Sequence, residues 1–371
     1  MPAPLPSPVH VLFQTEFEAM GGAERSLLAL SRWLHQHNRP HILLTYIDHC
    51  NIASHAAHPV NVVELRPAMK ARAKIAALKR YIREYPPLDA PLLSGYQSSM
   101  HAALAGLGRT HCLMHDTPDL FEVAHQLTLQ QRARRWLSNR IVARNLRSGG
   151  HTIVTSEHLQ SEVQHLFGVH ADIVRMGGLA SAHTFTPRRV DTTLRLLSVS
   201  RLEDNKRIDW LLRALAALEL SSSPLSTRID WHFDILGKGS QLIALQSLAT
   251  SLGIASRVHF HGYVTDEQLE NFFAQTHLFL MPAVQGYGIP AVEALARGIP
   301  VLLHRDSGVS DILTDTPWAT IVDGGETNLL PALTSAIDHV LRDEHLTAPP
   351  PPVPTEEEWA ERVATLCDWV R

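Results

Sequence analysis

Two rhythms of apolar residues alternate along this chain. Short apolar runs at Val9–Thr15, Cys112–Met114, Leu194–Ser200, Trp231–Leu236, Arg257–Gly262 and Leu278–Met281 read as buried strands. Between them apolar residues recur at helical spacing, as in Trp210, Leu211, Leu212, Leu215 and Leu218. Strand followed by helix, repeated, predicts an α/β protein with parallel sheets. The polar stretch 186–193 (TPRRVDTT) separates two strand-rich halves, and a length of 371 residues is comfortable for two cores. The predicted organisation is a first domain over residues 1–187, a second over 188–348, and a tail over 349–371. The tail opens with five prolines between Ala348 and Thr355, a stiff extended connector. Thr355 then caps a last helix with Glu356, Glu357 and Glu358 in its first turn. Trp359, Val363, Leu366 and Val370 mark the side expected to be buried.

Candidate chemistry is densest after Leu278–Met281. Pro282 ends that run, and Gly286-Tyr287-Gly288 predicts a turn that opens a helix carrying Glu293. Backbone N–H groups at a helix start attract anions, and glycine lets a phosphate come close. A carboxylate about one turn further on suits a neutral, hydroxylated part of the same ligand. A phosphate joined to a sugar meets both conditions. Other strand ends repeat the theme. Leu194–Ser200 delivers Arg201 and then Lys206, two cations suited to a diphosphate. Trp231–Leu236 ends in Gly237-Lys238-Gly239, and Arg257–Gly262 runs into Tyr263 and Val264. Open parallel sheets bind their ligands at such carboxyl ends. Each feature alone has a plainer reading: glycines for packing, cations as solvated loop charges.

These residues, taken in order, resemble glycosyltransferase family 4, the retaining, nucleotide-sugar-dependent enzymes of GT-B fold. Gly21-Gly22-Ala23-Glu24-Arg25, His115-Asp116 and Thr155-Ser156-Glu157 match segments of its first domain. Arg201, Lys206, Gly237, Gly239 and the segment from Gln285 to Glu293 match its second. The resemblance implies two Rossmann-like domains facing a central cleft, with the last helix returning to the first. It implies that Arg201 and Lys206 bind the donor diphosphate, Gly286–Gly288 the same phosphate or the sugar, and Glu293 the ribose hydroxyls. The segment Gly262-Tyr263-Val264 would flank the base. Gly21 and Gly22 would approach the diphosphate or the acceptor, and His115 would contact the donor sugar.

Two positions depart from the family. Gln285 stands where its Glu-x7-Glu motif has the first glutamate, and Met176-Gly177-Gly178-Leu179 replaces Pro-Asn-Gly-Val. Gln285 keeps hydrogen bonding without charge, which bears on sugar identity and on turnover. Three readings follow. The first is a retaining transferase acting on a lipid-linked or saccharide acceptor. The second is a GT-B enzyme of other chemistry, an epimerase or a phosphorylase. The third is a non-catalytic member that binds a sugar nucleotide. No Asp-x-Asp occurs, which fits the metal-independent class, and no metal or cofactor beyond the donor is expected.

Charge adds a partner. Residues 1–185 hold 18 Lys/Arg against 13 Asp/Glu, while residues 186–371 hold 15 against 24, for a total of −4. The first excess lies in two acid-free stretches, Arg66 to Arg83 and Arg132 to Arg147. Met69, Ile75, Leu78 and Ile82 interleave the first, and Trp136, Leu137, Ile141 and Val142 the second. Basic amphipathic helices suit an anionic membrane surface; the same stripes also suit an ordinary core. Nucleic acid fits poorly, because the chain is mildly acidic and aromatics are only 6%. The three cysteines lack metal spacing and read as reduced thiols, the N-terminus has no secretory pattern, and no apolar run spans a bilayer. A cytoplasmic protein, peripheral on the inner membrane face, is the expectation.

Overall fold

The computed structural model describes residues 8–117, 127–180, 188–220, 230–313 and 315–370. The chain divides into two compact units, Met1–Ala180 with Pro354–Arg371, and Ser181–Val353. Each is a parallel sheet with helical crossovers.

In the first unit the strands of the main sheet are β1 (His10–Phe13), β2 (His41–Thr45), β3 (Val62–Glu64), β4 (Leu92–Ser94), β5 (His111–Met114), β6 (Thr152–Val154) and β7 (Asp172–Ile173). They pair in the order β3-β2-β1-β4-β5-β6-β7, all parallel. The crossovers are α1 (Gly22–Gln36), α2 (Ala71–Glu84), α3 (Gly95–Ala105), α4 (Leu129–Leu146) and α5 (Glu157–Phe167). Strand order reverses beside β1, so the loop after β1 and the loop after β4 diverge there and leave a crevice. Val11, Phe13, Ile42 and Leu44 bury one sheet face with Leu78 and Tyr81 of α2. Further along, Cys112, Met114 and Val154 pack with Val142, Leu146, Leu159 and Val163. Each such side chain contributes about 1.5–3 kcal/mol on burial.

The second unit contains β8 (Thr193–Val199), β9 (Asp230–Leu236), β10 (Val258–Gly262), β11 (Leu278–Met281), β12 (Val301–His304) and β13 (Ala319–Val322). Their order is β10-β9-β8-β11-β12-β13, again parallel. Helices α6 (Ile208–Leu220), α7 (Leu242–Ser251), α8 (Asp266–Gln275), α9 (Ile289–Ala296) and α10 (Leu329–Leu341) follow the strands. Leu211, Leu212, Leu215 and Leu218, the helical repeat read from the sequence, bury against Leu194, Leu196, Phe233 and Leu280. The switch in strand order falls between β8 and β11.

The unit boundaries lie at 180/181 and 353/354, where the sequence placed them at 187/188 and 348/349. Arg188 and Arg189 are fastened to the second unit, the first by donating to the Phe273 carbonyl at 3.1 Å, the second by an ion pair with Asp343. Ala348 is held there too, because its carbonyl accepts from Trp318 Nε1 at 2.9 Å. The proline run therefore starts on the second unit. Residues 186 and 187 lie outside the described residues.

The last helix, α11 (Glu356–Leu366), is capped as its sequence predicts. Thr355 Oγ1 accepts from the Glu358 N–H, and the Glu358 carboxylate accepts from the Thr355 N–H. It packs on α1, where Arg32 pairs with Glu356 at 2.7 Å. Gly177 makes room for its start: a side chain there would meet the Thr355 and Glu356 backbone at 2.1 Å. The expected buried face is corrected at its end. Trp359 and Val363 are buried, but Val370 is 39% exposed and Trp369 is buried instead. Asp368 adopts φ +62°, so the chain leaves the helical register and lays Trp369 against His10, with ring centroids 4.8 Å apart.

The two basic stretches separate. The apolar stripe of α2 faces its own core: Leu78 is buried, and Ile75 and Ile82 pack against the same cluster. Lys74 is spent on an ion pair with Glu16. In α4 only the second half is covered. Leu129 is 84% exposed, Trp136 60% and Leu137 55%, while Val142 is buried. No described helix is long and apolar enough to cross a membrane.

Candidate active site

The second unit gathers its polar residues at the switch between β8 and β11. Arg201 is exposed just past β8, and a short 3-10 turn, Asp204–Lys206, turns Lys206 back toward the sheet. Gly237 and Gly239 shape this loop from beneath. Gly237 has φ +131°, and a side chain on it would reach within 1.9 Å of the Ser200 carbonyl oxygen; one on Gly239 would strike the Leu202 backbone. Only glycine tolerates both that angle and that approach. The two glycines thus seat the Arg201 loop by packing, and Leu202 N–H donates to the Lys238 carbonyl at 2.9 Å. Glu203 accepts from the Ser240 hydroxyl at 2.7 Å, which steadies the same loop and holds its carboxyl below the usual range.

Across the switch, β11 ends at Met281 and the chain turns through residues 282–288 into α9. Gly288 caps that helix at φ +106°, with Pro290 in the first turn. A neighbouring turn holds the loop in shape. Ser307 Oγ donates to the Ala283 carbonyl at 3.0 Å, Gly308 N–H to that of Gln285 at 3.1 Å, and Val309 N–H to that of Tyr287 at 3.0 Å. Tyr287 and Glu293 are buried, while Gln285 and Gly286 are half-buried. The two sides meet where Lys206 Nζ donates to Gln285 Oε1 at 2.6 Å. Gly262 ends β10 and half-buried Val264 lies just past it. Tyr263 is 66% exposed there, with the Lys238 ammonium 5.8 Å from its ring centre.

The first unit presents its own cluster at the carboxyl end of its sheet. Gly21 caps α1, and Gly22 begins it. The Glu24 carboxylate accepts from the Gly21 N–H at 3.1 Å and from Gln14 Nε2 at 2.5 Å, while Ser94 Oγ donates to Gln14 Oε1 at 2.8 Å. Burial raises the Glu24 carboxyl above its ordinary range. His115 follows β5 and contacts Ser26 Oγ of α1 at 3.3 Å. Burial lowers its imidazole to about 4, so the ring is neutral at pH 7.

Arg201, Lys206, Gln285, Gly286, Tyr287, Gly288 and Glu293 are thus neighbours in one unit, and Gly21, Gly22 and His115 belong to the other. Sequence reading missed Ser26 and the 307–309 turn. Asp306-Ser307-Gly308 was a readable turn signal, whereas Ser26 had none, since its partner is 89 positions away. No group of three His, Cys, Asp or Glu among the described residues is gathered to hold a metal ion.

Residues 183–359 match the family model of the glycosyl transferases group 1. This part of the chain is similar to that family. A GDP-mannose-dependent α-(1-6)-phosphatidylinositol monomannoside mannosyltransferase of Mycolicibacterium smegmatis is 32% identical over 161 residues, 41% of this chain and 40% of that protein. The D-inositol 3-phosphate glycosyltransferase of Streptomyces griseus is 35% identical over 136 residues, 35% of this chain and 28% of that protein. The chain therefore spans less than half the length of these curated relatives. Solved structures extend the likeness to both units. WaaG, a glycosyltransferase of lipopolysaccharide biosynthesis, superposes with a TM-score of 0.66 at 16% identity over 97% of this chain and 95% of its own. Anabaena HepE with UDP and glucose gives 0.73 at 16% identity over 97% and 99%. The fold of the chain is GT-B.

Proposed function

We propose that this protein is a retaining, metal-independent glycosyltransferase. It takes a sugar from a nucleotide diphosphate sugar and passes it to a lipid-linked or saccharide acceptor in cell-surface polysaccharide or glycolipid assembly. The carrying observation is the Lys206–Gln285 contact at 2.6 Å, which joins a cation loop to a glycine-opened helix across the strand-order switch. Arg201 and Lys206 take the diphosphate and stabilise charge developing on the leaving group, a task for preorganised cations. Ser200 Oγ, buried beside them and without a hydrogen-bond partner, is a further donor at the same strand end. The start of α9 adds its dipole, and Glu293 receives ribose hydroxyls. Tyr263 offers a face to the base, and Gly21 and Gly22 let a ligand approach the α1 start. The acceptor oxygen attacks from the leaving-group side, so no protein nucleophile is needed and the departing phosphate takes the proton.

Relatives support the acceptor class: one is a phosphatidylinositol monomannoside mannosyltransferase and another an O-antigen chain mannosyltransferase. A lipid-linked acceptor places the enzyme against the cytoplasmic face of a membrane. The exposed Leu129, Trp136 and Leu137 on α4, with the Arg140 guanidinium 4.9 Å from the Trp136 ring centre, suit that surface.

The test is a thermal-shift panel of UDP-, GDP- and ADP-sugars with wild type beside the Arg201→Ala/Lys206→Ala variant. A ligand of the folded state raises the melting temperature with occupancy. One nucleotide class should raise it and lose the effect in the double variant. No shift with any nucleotide would remove the transferase reading.

A further inference from the structure

We infer that Ser26 is a positioning residue that fixes His115 in one neutral tautomer and so aims a bare acceptor, Nδ1, at a sugar hydroxyl of the substrate; this deepens the transferase reading and rests on it. Ser26 lies in the first turns of α1 and is fully buried. Its Oγ is 2.8 Å from the Ala23 carbonyl oxygen and 3.3 Å from His115 Nε2. A carbonyl can only accept, and a hydroxyl has one proton, so that proton goes to Ala23. The contact with His115 then needs its proton from the ring, and Nε2–H is the donor.

A neutral imidazole has one N–H. Burial keeps the His115 ring neutral, with no charged neighbour contributing. Nδ1 is therefore left with a lone pair, and no described residue donates to it. His115 stands directly after β5, at the carboxyl edge of the first sheet, the side where open parallel sheets take their ligands. A neutral acceptor there takes an O–H and does not attract phosphate. The same ring held as Nδ1–H would offer a donor instead and favour a phosphoryl or carbonyl oxygen. Ser26 thus selects which kind of group this histidine can recognise, through a bond that spans α1 and β5.

The test reads the tautomer directly. Protein labelled with 15N-histidine is examined by long-range proton–nitrogen correlation at pH 7, with His115→Asn assigning the resonances. Wild type should show His115 predominantly as Nε2–H. Ser26→Ala, a smaller residue that the buried site accommodates, should give a mixed population with both nitrogens partly protonated. Its kcat should fall about tenfold, with the KM for nucleotide sugar nearly unchanged, the signature of a contact made at the reacting end. Ser26→Thr, which keeps the hydroxyl, should recover the Nε2–H form. A wild-type ring in the Nδ1–H form, or a Ser26→Ala ring with unaltered tautomer, would overturn the inference. The expected spectra without any turnover would instead overturn the transferase reading and leave the Ser26–His115 assignment standing.

Discussion

At 2.6 Å the Lys206 ammonium donates to a neutral amide, a contact that cancels none of its charge. A lysine can only donate, so the oxygen of Gln285 must face it. Replacing that amide by a carboxylate would make an ion pair in a half-buried place and neutralise one of the two cations proposed for the diphosphate. Gln285→Glu should therefore weaken nucleoside diphosphate binding by about 3- to 10-fold, on the order of 1 kcal/mol. Calorimetric titration at low and high salt measures it, and the loss should shrink with salt. Unchanged affinity with faster turnover would mean that the position acts on the transferred sugar and not through Lys206. The sequence made the substitution visible, but not its partner, because the two residues lie 79 positions apart.

At the scale of elements, the two basic segments looked alike in sequence and fold differently. The α2 stripe is consumed by the core beneath it, while the first half of α4 stands clear with Leu129, Trp136 and Leu137 in water. Charge reversal at Arg132 and Arg140 should therefore abolish most binding to anionic vesicles at low salt, and Trp136→Ala should weaken it several-fold. Reversal at Lys79 and Arg80 should cost less, since α2 offers cations without an apolar face. Co-sedimentation with phosphatidylglycerol vesicles separates these outcomes. Wild type that ignores such vesicles at low salt would remove the membrane from the proposal. Periodicity could not tell the helices apart, because an amphipathic stripe has the same spacing whether a core or a lipid covers it.

Across the whole molecule, histidines set a dependence on pH. Burial holds His10 and His111 near 4, and lowers His41, His101, His277 and His345 as well. As pH falls past about 6.5 the unfolded chain takes up these protons, while the folded chain takes them up only at lower pH, near 4 for His10 and His111. The unfolded state binds more protons across that window, so the stability present above pH 6.5 is lost progressively below it. Each histidine steepens the fall by at most about 1.4 kcal/mol per pH unit. Glu24, raised by burial, works oppositely just above the ordinary carboxylate range. Between pH 7 and 5 the melting temperature should drop by roughly 5 °C per unit. A flat profile would contradict the burial of these rings.

The sequence by itself determined the strand–helix alternation, the glycines and cations at the strand ends, the cap of the last helix and the family likeness. All of these rest on local spacing, on turn chemistry or on short motifs, which neighbouring residues encode. Tertiary structure alone decided the rest. It showed that Gly237 and Gly239 serve the Ser200–Leu202 backbone and that Gly177 admits the returning helix. It put Trp369 in the place expected for Val370, and it tied Lys206 to Gln285 and Ser26 to His115. Each of those facts is a contact between residues distant in the chain, and such a contact leaves no periodic trace in a single sequence.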